Sequence, residues 1–366
     1  MDTVSTRWAN SEEDYRRLGL KKDTILEKED GMRTPGDDRT YEWWYADFVL
    51  ESGAKLCVTF TIKRCICAIW PVDPHIMCVL DLPDGTHLNL AERFSPEDFH
   101  ASTETADVVM GKNTFKGDLR HFDIHLDMKG VKADLHIENA GPSWRPESGI
   151  IYMGDHDEHC LGWLPAVPNG KSSGTIELED GTVIPVDGSS YHDHNWGTST
   201  MTEDFYRWYW GRAKIGAYNV LTNITYTEKQ YGYKPFIELM IMKDGQIVAD
   251  SNQHEVVETE DDRCIDAETG KPYHKKIMFD YNDGTNRYVV TYRAKDLLFR
   301  QNNLVALPPE KREEYVNSGF NSYYMRFYGT ITLEHYVNGE LVDTAEDTEG
   351  LCEQMHMCGV GRENEL

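Results

Sequence analysis

The chain of 366 residues predicts an all-β, mainly antiparallel protein on three observations. Asp84-Gly85, Asp180-Gly181, Asp244-Gly245, Asp283-Gly284 and Asn338-Gly339 each separate two strand-like segments, and such dipeptides supply the positive φ that two-residue hairpin turns require. Apolar residues take every second position in Phe122, Ile124, Leu126 and Met128, and again in Val131, Ala133, Leu135 and Ile137 across Lys129-Gly130. That period of two lays one face of a hairpin on a core. Helical patterns are scarce, so helix content is expected well below the usual third or so of residues.

In chain order, residues 1–40 read as an N-terminal arm, with Ser11-Glu12-Glu13-Asp14 as a capping-box signature for one short helix. The length exceeds what one ordinary domain needs, so residues 41–200 read as a first β-domain and 201–366 as a second. Met325, Phe327, Ile331, Leu333 and Val337 keep the two-residue period near the C-terminus. Each half thus closes on a similar long hairpin, which points to two related domains. Pro309–Asn317 reads as a later helix, with proline at its start and Gly319 past its end. Glu255–Glu268 holds few apolar residues and is expected as an exposed loop.

Three aromatic runs stand out: Tyr41-Glu42-Trp43-Trp44-Tyr45, Tyr191-His192-Asp193-His194-Asn195-Trp196-Gly197, and Arg207-Trp208-Tyr209-Trp210-Gly211-Arg212. Further indoles stand at Trp70, Trp144 and Trp163. So much indole beside ionisable groups predicts a pocket for a large, flat, apolar molecule. The boundary near residue 200 puts the central run at a domain junction, where ligand sites often form.

Composition narrows the function classes. A net charge of −26 disfavours nucleic acid and anionic membranes as partners, since both need a basic surface. No apolar run approaches the ~20 residues of a membrane span. Residues 1–30 are polar and charged without the apolar core of a secretory segment. The eight cysteines are therefore expected as free core thiols in a reducing, cytoplasmic setting. Gly170-Lys171-Ser172 resembles the tail of a phosphate loop, but Pro165 stands where its first glycine belongs. No G-x-G-x-x-G follows a strand and no G-x-S-x-G elbow occurs, which argues against a dinucleotide fold and a serine hydrolase of that type.

The candidate chemistry lies in the runs. On a strand His192 and His194 share a face, so two imidazoles can converge on one ion. No third metal ligand can be named, and the alternative is a buried, hydrogen-bonded histidine beside a turn. Glu42, flanked by tyrosine and tryptophan, is either a desolvated general acid or a buried carboxylate paired with Arg212 or Arg207. Trp43, Tyr45, Trp196, Tyr209, Trp210 and Tyr218 are the candidate substrate contacts. Adjacent indoles point to opposite faces of a strand, so some of them serve the core.

Glu42-Trp43-Trp44-Tyr45, His192-Asp193-His194-Asn195-Trp196-Gly197 and Trp210-Gly211-Arg212, in that order, resemble the AttH/carotenoid 1,2-hydratase family, which includes hydroxyneurosporene synthases and lipocalin-like Diels–Alderases. The resemblance runs from about Tyr41 to the C-terminus and implies two tandem lipocalin-like β-barrel domains, with a hydrophobic pocket between or within them. It implies a cofactor-independent isomerase or cyclase, or a hydratase, acting on a hydrophobic unsaturated small molecule. The hydratases are similar at His194 and Trp196. They also use an aspartate on a following strand, and here Tyr218–Tyr226 has no acid, with Asn223 the nearest polar candidate. On this reading His194, in preference to His192, and Glu42 donate a proton or hydrogen bond. Arg212 orients Glu42 or polarises a carbonyl, and Asn223 binds a substrate oxygen. A carrier that leaves its apolar ligand unchanged and a metal-dependent hydrolase using His192 and His194 are the rival classes.

Overall fold

Each of the five glycine dipeptides turns a hairpin in the computed structural model, by two different devices. At Asp244-Gly245 and Asn338-Gly339 both residues have positive φ, 50° and 77° and then 50° and 85°, the pairing of a primed two-residue turn. At Gly85, Gly181 and Gly284 only the glycine does, which corrects the expectation of a primed turn there. A threonine follows each of these three. Its backbone N–H donates to the preceding aspartate Oδ1 at 2.8–2.9 Å, so the side chain closes the turn while the aspartate keeps an ordinary φ.

The structure describes residues 3–36, 39–67, 71–307, 309–317 and 322–357. The chain divides into two compact units, Ser5–Thr200 and Met201–Leu366, the second also holding Met1–Val4. Each is a curled antiparallel sheet of the lipocalin-like β-barrel type. In the first unit the sheet runs His87–Arg93, His75–Asp81, Lys55–Lys63, Tyr41–Leu50, Val183–Gly197, His159–Leu178, Val131–Asn139, His121–Met128, Asn113–Gly117, Ala106–Met110 and Phe99–Ala101. Sequence neighbours pair except where Val183–Gly197 joins Tyr41–Leu50 and where His159–Leu178 joins Val131–Asn139. The predicted alternation sets its core: Phe122, Ile124, Leu126, Val131 and Ile137 are buried together with Phe48, Phe60 and Phe115. Pro165 and Pro168 fall in His159–Leu178 at a stretch of shifted register, where a strand tolerates residues without an N–H.

The second unit runs Gln246–Asp250, Pro235–Lys243, Tyr218–Thr227, Phe205–Ile215, Glu340–His356, Tyr323–Val337, Asn286–Asn302, Pro272–Asn282 and Val256–Ile265. The acidic stretch expected as a loop is thus an edge strand. Val256, Glu258, Glu260 and Cys264 are its less exposed positions. Charges blunt a sheet edge, and the two inward carboxylates have partners within the barrel, so low apolar content misled the sequence reading. The helix Pro309–Asn317 forms as read, while Gly319, Trp70 and Cys358 lie outside the described residues.

Residues 5–36, expected as an arm, are built into the first unit. Thr6–Trp8 pairs with Ile150–Met153. The helix Glu12–Leu18 carries both bonds of its capping box at Ser11 and Asp14. Glu27–Asp30 forms a 3-10 turn whose Glu29 and Asp30 are buried. Among the described residues no helix is long and apolar enough to cross a membrane.

Candidate active site

The central strand Val183–Gly197 pairs residue for residue with Tyr41–Leu50, His194 opposite Trp44 and Trp196 opposite Glu42. Strand alternation then separates two sets of side chains. Glu42, Trp44, His192, His194 and Trp196 face the barrel interior, and Trp43, Tyr45, Tyr191, Asp193 and Asn195 the other side. Of the predicted site residues in this unit, the interior face gathers His192, His194, Glu42 and Trp196. Trp43 and Tyr45 are not with them.

On the interior face the His194 ring is sandwiched, 4.5 Å from Trp44 at 12° and 4.9 Å from Trp196. Its Nε2 donates to Glu42 Oε1 at 2.8 Å, and its Nδ1 faces the Glu29 carbonyl at 3.4 Å. Glu42 also accepts from the backbone N–H of Arg33 at 2.6 Å and of Thr34 at 2.8 Å, and from the Thr34 hydroxyl at 2.6 Å. Its partners come from its own unit, and Arg207, considered as a partner, pairs instead with Glu260 at 2.7 Å. With four donors on two oxygens, Glu42 is an acceptor that anchors His194.

His192 packs against Phe115 and Phe122. It donates from Nδ1 to the Tyr45 carbonyl at 2.8 Å and from Nε2 to Asp30 Oδ2 at 3.0 Å. Both ring nitrogens face acceptors, so the imidazole is held as the cation. Burial opposes that charge, but the Asp30 carboxylate and these hydrogen bonds outweigh it and raise the pKa. Both histidines are thus committed to protein partners. Among the described residues no group of three or more His, Cys, Asp or Glu is arranged to hold a metal ion.

On the opposite face Asp193 is the hub. Its carboxylate accepts from the Trp163 indole N–H and the Tyr191 hydroxyl, each at 2.9 Å, and from the Asn195 amide at 2.8 Å. The Asp and Asn of the central motif therefore fix the strand from behind, while the histidines and Trp196 work in front.

A cavity of about 240 Å³ opens beside this motif. Trp196, Leu164, Ile150, Leu18 and Leu20 give it apolar walls, and Glu29, Arg33 and Arg145 bring charge into it. Glu29 Oε2 pairs with Arg145 at 3.0 Å, and its Oε1 accepts from the Leu26 N–H at 2.8 Å. Burial pushes the Glu29 carboxyl upward against the pull of Arg145. Sequence reading missed these three charged residues. Lys28-Glu29-Asp30 looks like a solvated run, and Arg145 lies in a loop; only the 3-10 turn that carries Glu29 inward changes their character.

The remaining candidates belong to the second unit. Tyr209 receives a hydrogen bond from Arg207 and lies 3.0 Å from His274 Nδ1. Tyr218 donates to Asp343 at 2.7 Å and accepts from Lys243 at 2.7 Å. Trp210 and Arg212 are buried. Asn223 donates to Glu238 at 3.0 Å, and burial holds that carboxyl well above the usual range. Glu238 is a second buried acid the sequence reading passed over, though a lone carboxylate within Phe236–Met242 was a signal for it.

A family model described as Diels-Alderase-like matches residues 103–300. Hydroxyneurosporene dehydrogenase of Chlorobaculum tepidum is 32% identical over 227 residues, 54% of this chain and 58% of that protein, so the match spans little more than half the relative's length. Among solved structures, CghA with Sch210972 has a TM-score of 0.62 at 12% identity, covering 92% of this chain and 97% of that one. Kievitone hydratase from Nectria haematococca has a TM-score of 0.56 at 14% identity, covering 92% and 94%. At these identities the likeness is one of fold.

Proposed function

The chain belongs to the Diels-Alderase-like family, and from that premise we propose that it is an enzyme, a cofactor-independent isomerase or cyclase acting on a hydrophobic, unsaturated small molecule. The observation that carries this reading is the cavity of about 240 Å³ in which Trp196 and aliphatic walls meet Glu29, Arg33 and Arg145. An apolar carrier gains nothing from buried charges that must be held in place at a desolvation cost. The volume lies below the ~300–1,000 Å³ of clefts that enclose a drug-sized ligand, so the cavity takes one end of an extended substrate. There a guanidinium polarises an oxygen, and the Trp196 face supports developing positive charge on carbon. In this reading His194 and Glu42 act from behind, holding Trp196 and the 3-10 turn in position.

Hydration is the second reading, favoured by the polar Ser148 and Thr198 among the same lining residues, which suit a bound water. The test is incubation of the purified chain with a panel of polyene ketones and polyene hydrocarbons, followed by mass spectrometry. A product of unchanged mass supports isomerisation or cyclisation, and a gain of one water supports hydration. Ligand bound and returned unaltered throughout the panel would sink the enzyme reading in favour of the carrier.

A further inference from the structure

We propose that Glu29 is the proton donor and acceptor of this cavity, a role resting on the enzymatic reading above. Geometry carries the assignment. Glu29 is the one carboxyl among the cavity's lining residues. His194 and Glu42 do not line it; both are fully buried and engaged with one another. The other ionisable protons at the lining, on the Tyr152 phenol and the Cys160 thiol, belong to much weaker acids, so the Glu29 carboxyl is the group from which a proton most readily reaches an apolar substrate.

The carboxyl is also held. The Leu26 N–H fixes Oε1, and Arg145, itself bound to the Lys21 carbonyl, fixes Oε2. The 3-10 turn behind it is pinned at Asp30 twice, by His192 at 3.0 Å and by the Trp44 indole N–H on the Asp30 carbonyl at 2.8 Å. His194 faces the Glu29 carbonyl from the barrel side. A catalytic group needs such support to keep its geometry.

The charges around it suit a proton that leaves and returns. Arg145, Arg33 and Lys28 face Glu29 as cations, and all three favour its ionised form, while burial favours the neutral form and wins. Asp30 is the adjoining anion and is engaged by His192. In the neutral state Glu29 is the acid. Once it gives up its proton, the carboxylate is met by Arg145 without any rearrangement.

The step balances within the substrate. The π pair of an alkene forms a new C–H bond with the Glu29 proton, leaving a cation on the neighbouring carbon beside the Trp196 face. Attack by a second double bond closes a ring and moves the cation. Loss of a proton from the adjoining carbon to Glu29 restores a double bond and the acid. No oxidant, reductant or co-reactant is consumed.

The test uses the full chain and a probe small enough for the cavity. 1-Methoxycyclohexene is an apolar enol ether whose hydrolysis begins with proton transfer to carbon; water then captures the cation and methanol leaves. Binding is read separately, by calorimetry with methoxycyclohexane, which cannot react. The wild-type chain should hydrolyse the probe faster than buffer, with a rate that falls as pH rises through a midpoint above the ordinary glutamate value. Glu29→Gln should lose about 10²–10⁴-fold of that rate with methoxycyclohexane binding unchanged, and Glu29→Asp should retain part of it. Hydrolysis by Glu29→Gln at the wild-type rate overturns the assignment while the enzymatic reading stands. Binding without any acceleration by the wild-type chain overturns the assignment as well, and the enzymatic reading is then decided by the polyene panel alone.

Discussion

Gly162 lies directly across the strand pair from Trp196, and a Cβ placed on it would fall 2.0 Å from the indole Cε2. The indole of Trp196, which lines the cavity, therefore rests on bare backbone at Gly162.

Gly162→Ala should push the Trp196 ring into the cavity. We expect methoxycyclohexane binding to weaken at least about tenfold, equivalent to about 1.4 kcal/mol. The overpacking cost to the fold should be about 1–3 kcal/mol. Calorimetry and urea unfolding read the two effects. Unchanged binding in a folded variant would place the ligand somewhere other than against Trp196.

Asp193→Ala should be among the most damaging substitutions in the first unit. It removes the acceptor shared by the Trp163 N–H, the Tyr191 hydroxyl and the Asn195 amide, and a buried donor that loses its acceptor costs about 1–3 kcal/mol. The losses overlap, so a total of about 3–5 kcal/mol is expected in denaturant unfolding. Asp193→Asn, which keeps one acceptor oxygen, should cost less. Equal stability of the two variants would refute the hub.

His192 gives stability a dependence on pH above its ordinary value of about 6.5. Its pKa in the fold lies above its ordinary value, because Asp30 and the Tyr45 carbonyl outweigh burial. A raised histidine contributes stability that is fully present below about 6.5 and is lost as pH rises through the folded value. Urea unfolding of the wild-type chain from about pH 6 upward should show that decline, and Asp30→Asn should flatten it. A decline of the same slope in the variant would assign it to another group.

Glu258 works in the opposite sense for the ionised form. Burial, with help from the charge of Glu260, pushes its carboxyl up to about 7. The penalty on the folded state is absent below about 4.3, where the group is neutral in both states, and complete above the folded value. Glu258→Gln keeps an acceptor for Tyr226 and should add about 1–2 kcal/mol at mildly alkaline pH, with no gain near pH 4. A gain of equal size at both pH values would mean that packing, not charge, is responsible.

The strands were legible because alternation and turn dipeptides are local signals: Phe122 to Ile137 could be laid on a core from spacing alone. The same alternation separates His192 and His194 from Asp193. Glu29 was not legible. Its neighbours Lys28 and Asp30 make it look solvated, and its place depends on Arg145, which pairs with it, and on Trp44 and His192, which hold the adjoining Asp30, all remote in sequence. Glu258 and Glu260 failed for a related reason, since an inward carboxylate breaks the apolar pattern that marks a strand. Physical patterning reveals a core. It hides those polar groups that the core has been shaped to accept.

The 3-10 turn Glu27–Asp30 has a consequence for the order in which the molecule can be made. Its partners His192 and His194 are more than 160 residues further along the chain, so during synthesis the turn emerges long before anything can receive it. Until the strand Val183–Gly197 arrives, Glu29 and Asp30 stay in water, and closing so long a loop carries an entropy cost before any contact repays it. The barrel wall, made of neighbouring hairpins, can assemble progressively, whereas the charged interior must wait for the final strand of the first unit. A chain that ends before Gly197 should thus leave its N-terminal segment open to proteases, and protection of that segment would report the moment at which the site is complete.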